Sequence, residues 1–190
     1  MIKNILKHTK LVLTHKWYVF IFCTKIGIPW RGLVHDMSKF SPTEFFESVK
    51  YYNGKISPIT VCKEKNGYSE AWLHHKGRNK HHTHYWVDET AIEKTPIIPY
   101  KYVAEMICDK LSASKVYNGK DWTNRSELEY WEKEKLRIRV NKHVEEMLTE
   151  VFEQVAEKGI EPVLTKSNIQ DLYKKHCGDI KKRKAKKNEN

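Results

Sequence analysis

The stretch Leu33-Val34-His35-Asp36-Met37-Ser38-Lys39-Phe40 decides how this chain is read. It reads as part of a short helix over residues 31–40, in which Lys39 follows His35 at i+4 and shares its face. An adjacent histidine and aspartate can offer a neutral nitrogen and an anionic oxygen to one divalent metal. An isolated His-Asp pair is ordinarily a surface contact or a helix cap. Its meaning here depends on what the rest of the chain sets beside it.

Upstream, Ile5, Val12, Val19 and Ile26 recur at seven, and Leu11, Tyr18 and Phe22 widen the same stripe, which predicts one helix over 2–26 ended by Gly27 and Pro29. Downstream, Ser41-Pro42-Thr43-Glu44 has the form of a capping box with proline in the first turn, opening a helix to about Tyr52. Residues 53–67 carry Asn53-Gly54, Ser57-Pro58 and Asn66-Gly67 and read as loop with a helical turn at 58–64. A short helix begins at Ser69 and is interrupted at Gly77. Residues 99–117 form a clear helix between Pro99 and Gly119, 124–158 one or two peripheral helices, and 167–176 a last one. With no β pattern and no internal repeat, the expected class is all-α. A metal-binding helical part over 1–120 carries peripheral C-terminal helices over 121–178 and a basic tail over 179–190.

The chain has 190 residues, enough for a sizeable core without disulfides. Its four cysteines are scattered with no CxxC, as in a reduced cytoplasmic protein. The formal net charge of +11 is uneven: residues 181–190 hold six Lys/Arg and one Glu, a net +5 that leaves +6 for the rest. A basic body attracts phosphorylated ligands of any size, and the tail reads as a disordered, solubilising end, with nonspecific polyanion binding as the lesser reading. The apolar run 17–23 is bracketed by Lys16 and Lys25, and a bilayer span needs about 20 residues, so no membrane partner is expected.

Three further features give the His-Asp pair company. His15 lies among Leu11, Val12, Tyr18 and Val19 on the apolar face of the first helix, with His8 a competing candidate seven residues earlier. Asp109 falls on a largely apolar face near Met106 and Ala113, where a carboxylate needs a metal, a basic residue or a helix N-terminus. Five histidines (74, 75, 81, 82 and 84) fall within eleven residues, and two or three are expected to be ligands. His75 and His82 are preferred, because Gly77 and Asn79 permit a turn that brings them together. Lys39 and Arg78 are candidates for a phosphate oxygen.

The order His15, His35-Asp36, the histidine cluster, then Asp109 resembles the HD-domain superfamily of metal-dependent phosphohydrolases. Leu33 to Lys39 is similar to that family's hydrophobic-hydrophobic-His-Asp-x-x-Lys stretch, and Ile107-Cys108-Asp109-Lys110-Leu111 to its late Ala-Asp-Lys-Leu helix. The first 120 residues also resemble an uncharacterised bacterial and phage family that supplies no function of its own. The resemblance implies an HD-like bundle with a first metal held by His15, His35, Asp36 and Asp109. It implies a second held by His75 and His82, or by His74 and His81. The cofactor would be one or two divalent transition ions (Mn, Fe, Co or Zn), and the substrate a nucleotide or other small phosphoester. Two rival expectations are an HD-like di-iron oxygenase and a non-enzymatic nucleic-acid-binding protein. The chain departs from the pattern where Ser38 replaces the glycine usual before the lysine, and where the middle histidines are compressed into one segment.

Overall fold

The computed structural model describes residues 2–178, so the basic tail lies outside the described residues. The first helix, α1 (Ile2–Lys25), contains neither proline nor glycine. It buries one stripe: His8, Val12, His15, Val19, Phe22 and Cys23. Two of its six buried residues are therefore histidines. The helix closes in a Schellman motif, with Ile28 N donating to Cys23 O at 2.8 Å and Gly27 N to Thr24 O at 3.1 Å. Gly27 takes the left-handed backbone this closure requires (φ 77°).

Next comes α2 (Pro29–Val34), which starts on a proline and lies close against α1 because Gly32 has no side chain. A Cβ on Gly32 would sit 2.8 Å from Phe20 Cα and from Cys23 Cβ. The single helix expected over 31–40 is not formed. α2 stops at Val34, His35 is extended (φ −52°, ψ 131°), Asp36 is left-handed (φ 52°, ψ 30°), and a 3-10 turn follows over Met37–Phe40. Lys16 Nζ braces the break by donating to Leu33 O at 3.0 Å and His35 O at 2.6 Å. The break turns polarity inside out. His35 and Asp36 are buried, while Leu33 and Met37 are 54% and 56% exposed.

Three helices follow: α3 (Pro42–Tyr51), α4 (Pro58–Asn66) and α5 (Glu70–Arg78). Ser41 caps α3 and Ser69 caps α5 through their hydroxyls. The expected turn at 58–64 is a full helix, and α5 runs through Gly77 to end at Asn79, whose amide donates to His75 O. A short 3-10 turn (Thr83–Trp86) precedes the central helix α6 (Tyr100–Asn118). The chain then forms α7 (Ser126–Glu134), α8 (Lys142–Lys158), α9 (Ile160–Val163) and α10 (Lys166–Cys177). Among the described residues there is no strand, and the molecule is an all-α bundle.

α1 packs on α2 and α6, α3 on α4 and α5, and α8 on α7, α9 and α10. The C-terminal helices are less peripheral than their charge alternation suggests. Trp131, Met147, Leu148, Val151 and Phe152 are fully buried and join Val19, Cys23, Ile107 and Leu111 in one core. No helix among the described residues is long and apolar enough to cross a membrane.

Candidate metal centre

The break after Val34 aims two adjacent side chains at the same interior point. A left-handed conformation is unusual for a residue with a Cβ, and Asp is one of the few that tolerates it. Asp36 is the only non-glycine residue with positive φ among the described residues. Its carboxylate is buried: Oδ2 faces His35 and, more closely, Lys39, while Oδ1 faces His75 and His81.

On one side, His35 Nε2 stands 3.4 Å from Asp36 Oδ2 and 3.4 Å from Asp109 Oδ1, and His15 Nε2 stands 3.0 Å from Asp109 Oδ1. His15 comes from the buried stripe of α1 and Asp109 from α6. On the other side, Asp36 Oδ1 faces His75 Nε2 at 3.4 Å and His81 Nε2 at 3.3 Å. His82 joins them, its ring centroid 4.8 Å from that of His75 and 4.3 Å from that of His81. Two sets could therefore hold an ion: His15, His35 and Asp109, and Asp36, His75, His81 and His82.

Three of these nitrogens have their orientation fixed from behind. Glu105, one turn before Asp109 on α6, meets the Nδ1 atoms of His35 at 3.1 Å and His81 at 3.3 Å through Oε1. Its Oε2 is held by Arg31. Glu44 meets His75 Nδ1 at 2.7 Å and His74 Nδ1 at 2.6 Å. A carboxylate on Nδ1 fixes the tautomer and leaves Nε2 as the free lone pair, the usual arrangement behind a metal-ligating histidine. His35, His81 and Glu105 also lie close enough to be grouped as donors. We assign that contact to hydrogen bonds, because the adjacent Arg31 guanidinium would repel a cation there.

The residues present fit a metal. His15 Nε2, His35 Nε2, Asp36 Oδ1, His81 Nε2 and His82 Nε2 are all buried without a well-aligned hydrogen bond, although His15 and His35 stand within ion-pair distance of Asp109. So many orphaned polar atoms aimed at one region are costly unless an ion completes them. Charge agrees: the buried carboxylates of Asp36, Glu44 and Glu105 and the half-buried one of Asp109 face two cations, Lys39 and Arg31, and divalent ions suit the remainder.

The electrostatics keep the donors ready. Burial opposes charge on Asp36 and Asp109. The cations and histidines around Asp36, and His15, His35 and His81 around Asp109, outweigh it and hold both carboxyls well below the ordinary range. Glu105 is pulled down to about 2 by His35 and His81 despite its burial. Burial lowers His15 and His82, which favours the neutral, ligating form. His35 is raised in spite of its burial by the neighbouring Asp36 and Asp109. Burial also opposes charge on Lys39, but Asp36 at 2.6 Å raises its pKa.

Most residues expected from the sequence meet here: His15, His35, Asp36, His75, His82 and Asp109, with Lys39 at the edge. His81 belongs with them beside His75, whereas His74 turns outward to Glu44, so the alternative pair His74 and His81 is not what the structure assembles. His8 packs against Phe45 and Tyr52 instead. Arg78 is exposed at the end of α5 and is not drawn to the cluster. The guanidinium tied to it is that of Arg31. Glu44 and Glu105 were not anticipated. Glu44 looked like half of a capping box, and Glu105 resembled an ordinary helical glutamate. The usable signal was its position four residues before Asp109 in the apolar run Val103 to Cys108.

Fold and site together define an all-helical protein with a buried histidine–carboxylate cluster able to hold metal. The chain belongs to a family of unknown function, DUF5662, whose profile matches residues 4–157 and so includes every residue of the cluster. No curated protein and no solved structure matches it.

Proposed function

We propose that the chain is a metal-dependent phosphohydrolase of the HD-like kind, acting on a small phosphoester such as a nucleotide. The observation that carries this reading is Asp36, placed with one oxygen toward each of two nitrogen-rich sets. His15, His35, Asp36 and Asp109 would hold one divalent transition ion, and Asp36, His75, His81 and His82 a second. Mn, Fe, Co and Zn all suit such donors. A bound ion supplies Lewis acidity and makes hydroxide available near neutral pH.

The protein's own residues do the rest. Asp109, His82 and Lys39 are the half-buried members of the cluster, the side chains of Asp109 and Lys39 being 15% and 28% exposed, and they offer substrate its approach. Lys39, its charge held by Asp36, stands where it can neutralise a phosphoryl oxygen as negative charge develops. Glu44 and Glu105 keep the imidazoles in the ligating tautomer.

The test is metal analysis of the wild type beside Asp36→Asn and Asp109→Asn, followed by a phosphoester panel. Wild-type protein should carry transition metal and release phosphate, and both variants should lose metal and activity. An equal metal load in all three overturns the reading. Iron-dependent oxygen consumption without phosphate release reassigns the centre to oxygenase chemistry. Salt-sensitive nucleic-acid binding that survives Asp36→Asn, with no turnover, reassigns the chain to nucleic-acid binding.

A further inference from the structure

Behind the cluster lies a layer that treats its two halves unequally. Glu44 supports His75, which belongs to one donor set, and spends its other oxygen on His74, which belongs to neither. Glu105 instead receives the Nδ1 atoms of His35 and His81 on a single oxygen. His35 belongs to the set with His15 and Asp109, and His81 to the set with Asp36, His75 and His82. The two rings lie tilted at 38° with their centroids 4.4 Å apart. The second oxygen of Glu105 is pinned by Arg31, whose own side chain is 30% exposed and stacks on Tyr102 at 5.1 Å. Glu105 is almost wholly buried, so it has no water-facing alternative to this role.

We infer that Glu105 is a positioning residue that couples the two ion positions: one carboxylate, fixed by Arg31, orients a ligand of each ion, so both sites are set by the same group. This rests on the metal-centre reading above and adds to it a specific asymmetry between Glu105 and Glu44. When an ion draws on the Nε2 of His35, the Nδ1 proton becomes more acidic and binds Glu105 more tightly. The carboxylate is thereby held in the position that also serves His81. Arg31, reaching the surface, is the one member of this layer through which an outside change could reach both ions.

The experiment is Co2+ titration of metal-stripped full-length protein, reading stoichiometry and the visible absorption of each bound ion. Wild type should bind two ions. In Glu105→Gln both should weaken, by about ten- to a hundredfold, the usual effect of losing such a partner. In Glu44→Gln only one should. Arg31→Gln keeps the carboxylate and alters a partly exposed side chain, so it guards against a folding defect in Glu105→Gln. It should weaken both ions together by a smaller factor. The inference is overturned if wild type binds a single ion. It is also overturned if Glu105→Gln and Arg31→Gln affect one ion alone or neither, or if Glu44→Gln weakens both equally. Wild type that takes up no Co2+ at all overturns the metal-centre reading itself.

Discussion

At the scale of the residue, Asp36 carries two demands that different substitutions separate. Alanine removes the carboxylate and also places a Cβ without polar compensation in left-handed backbone, at about 1–2 kcal/mol. Asparagine keeps the shape and tolerates the backbone but leaves Lys39 without its carboxylate, so Asp36→Asn should lose metal and some Tm in metal-free buffer. Asp36→Ala should lose metal and lower Tm further, as thermal melts with and without chelator will show. Glu127 offers a different test. Burial pushes it up to about 8, against the pull of Lys110. A carboxyl raised on folding stabilises while it is protonated, fully so below the ordinary glutamate range, and that contribution fades as pH rises toward 8. Glu127→Gln cannot ionise, so it should raise Tm near pH 8 and change it little near pH 5. An equal effect at both pH values would show that Glu127 does not titrate on folding.

The same scale shows what was legible. His15 could be found because a histidine on an apolar stripe is anomalous, and Asp109 because a carboxylate beside Met106 and Ala113 needs a partner. Glu44 could not, since Ser-x-x-Glu before a helix has a sufficient local explanation. The structure keeps the serine cap and sends the glutamate elsewhere. Preferring His75 and His82, with His81 only in the alternative pair beside His74, was a matter of direction. A turn can be inferred from Asn79, but not which ring it points inward.

At the scale of the element, helix periods were readable and the one functional break was not. α1, α6 and α10 lie within a residue or two of expectation, because stripe spacing and Gly or Pro punctuation are local. The break at His35-Asp36 is set by tertiary contacts, among them Lys16 on the carbonyls of Leu33 and His35. Gly32 makes that geometry possible. Gly32→Ala would drive a Cβ into the backbone of α1, costing about 1–3 kcal/mol and displacing the segment that leads to His35. Its Tm and its metal uptake should fall together. Gly77 is the counterexample, lying within α5 with open space where a Cβ would be. Gly77→Ala should stabilise by about 0.5–1 kcal/mol in chemical denaturation and leave metal binding intact.

At the scale of the molecule, the donors come from α1, the α2–α3 connection, α5 and the turn after it, and α6. An ion seated among them ties together segments distant in sequence, and it binds the folded chain far better than the unfolded one. Free metal at about a hundred times its dissociation constant should stabilise by about 2.7 kcal/mol, or about 5–10 °C in Tm. Chelator should reverse this, and a Tm indifferent to metal would place the donors outside any binding site.

The buried C-terminal helices give the architecture a practical consequence. Every donor lies before Gly119, yet Trp131, Met147, Leu148 and Phe152 close the core around Ile107 and Leu111 on the helix that carries Glu105 and Asp109. A fragment cut at residue 120 would own the complete chemical inventory and lack the wall that holds it in register. The centre is therefore not a portable cassette. Grafting its motifs onto another scaffold would transfer the ligands without the rigidity that makes them a site.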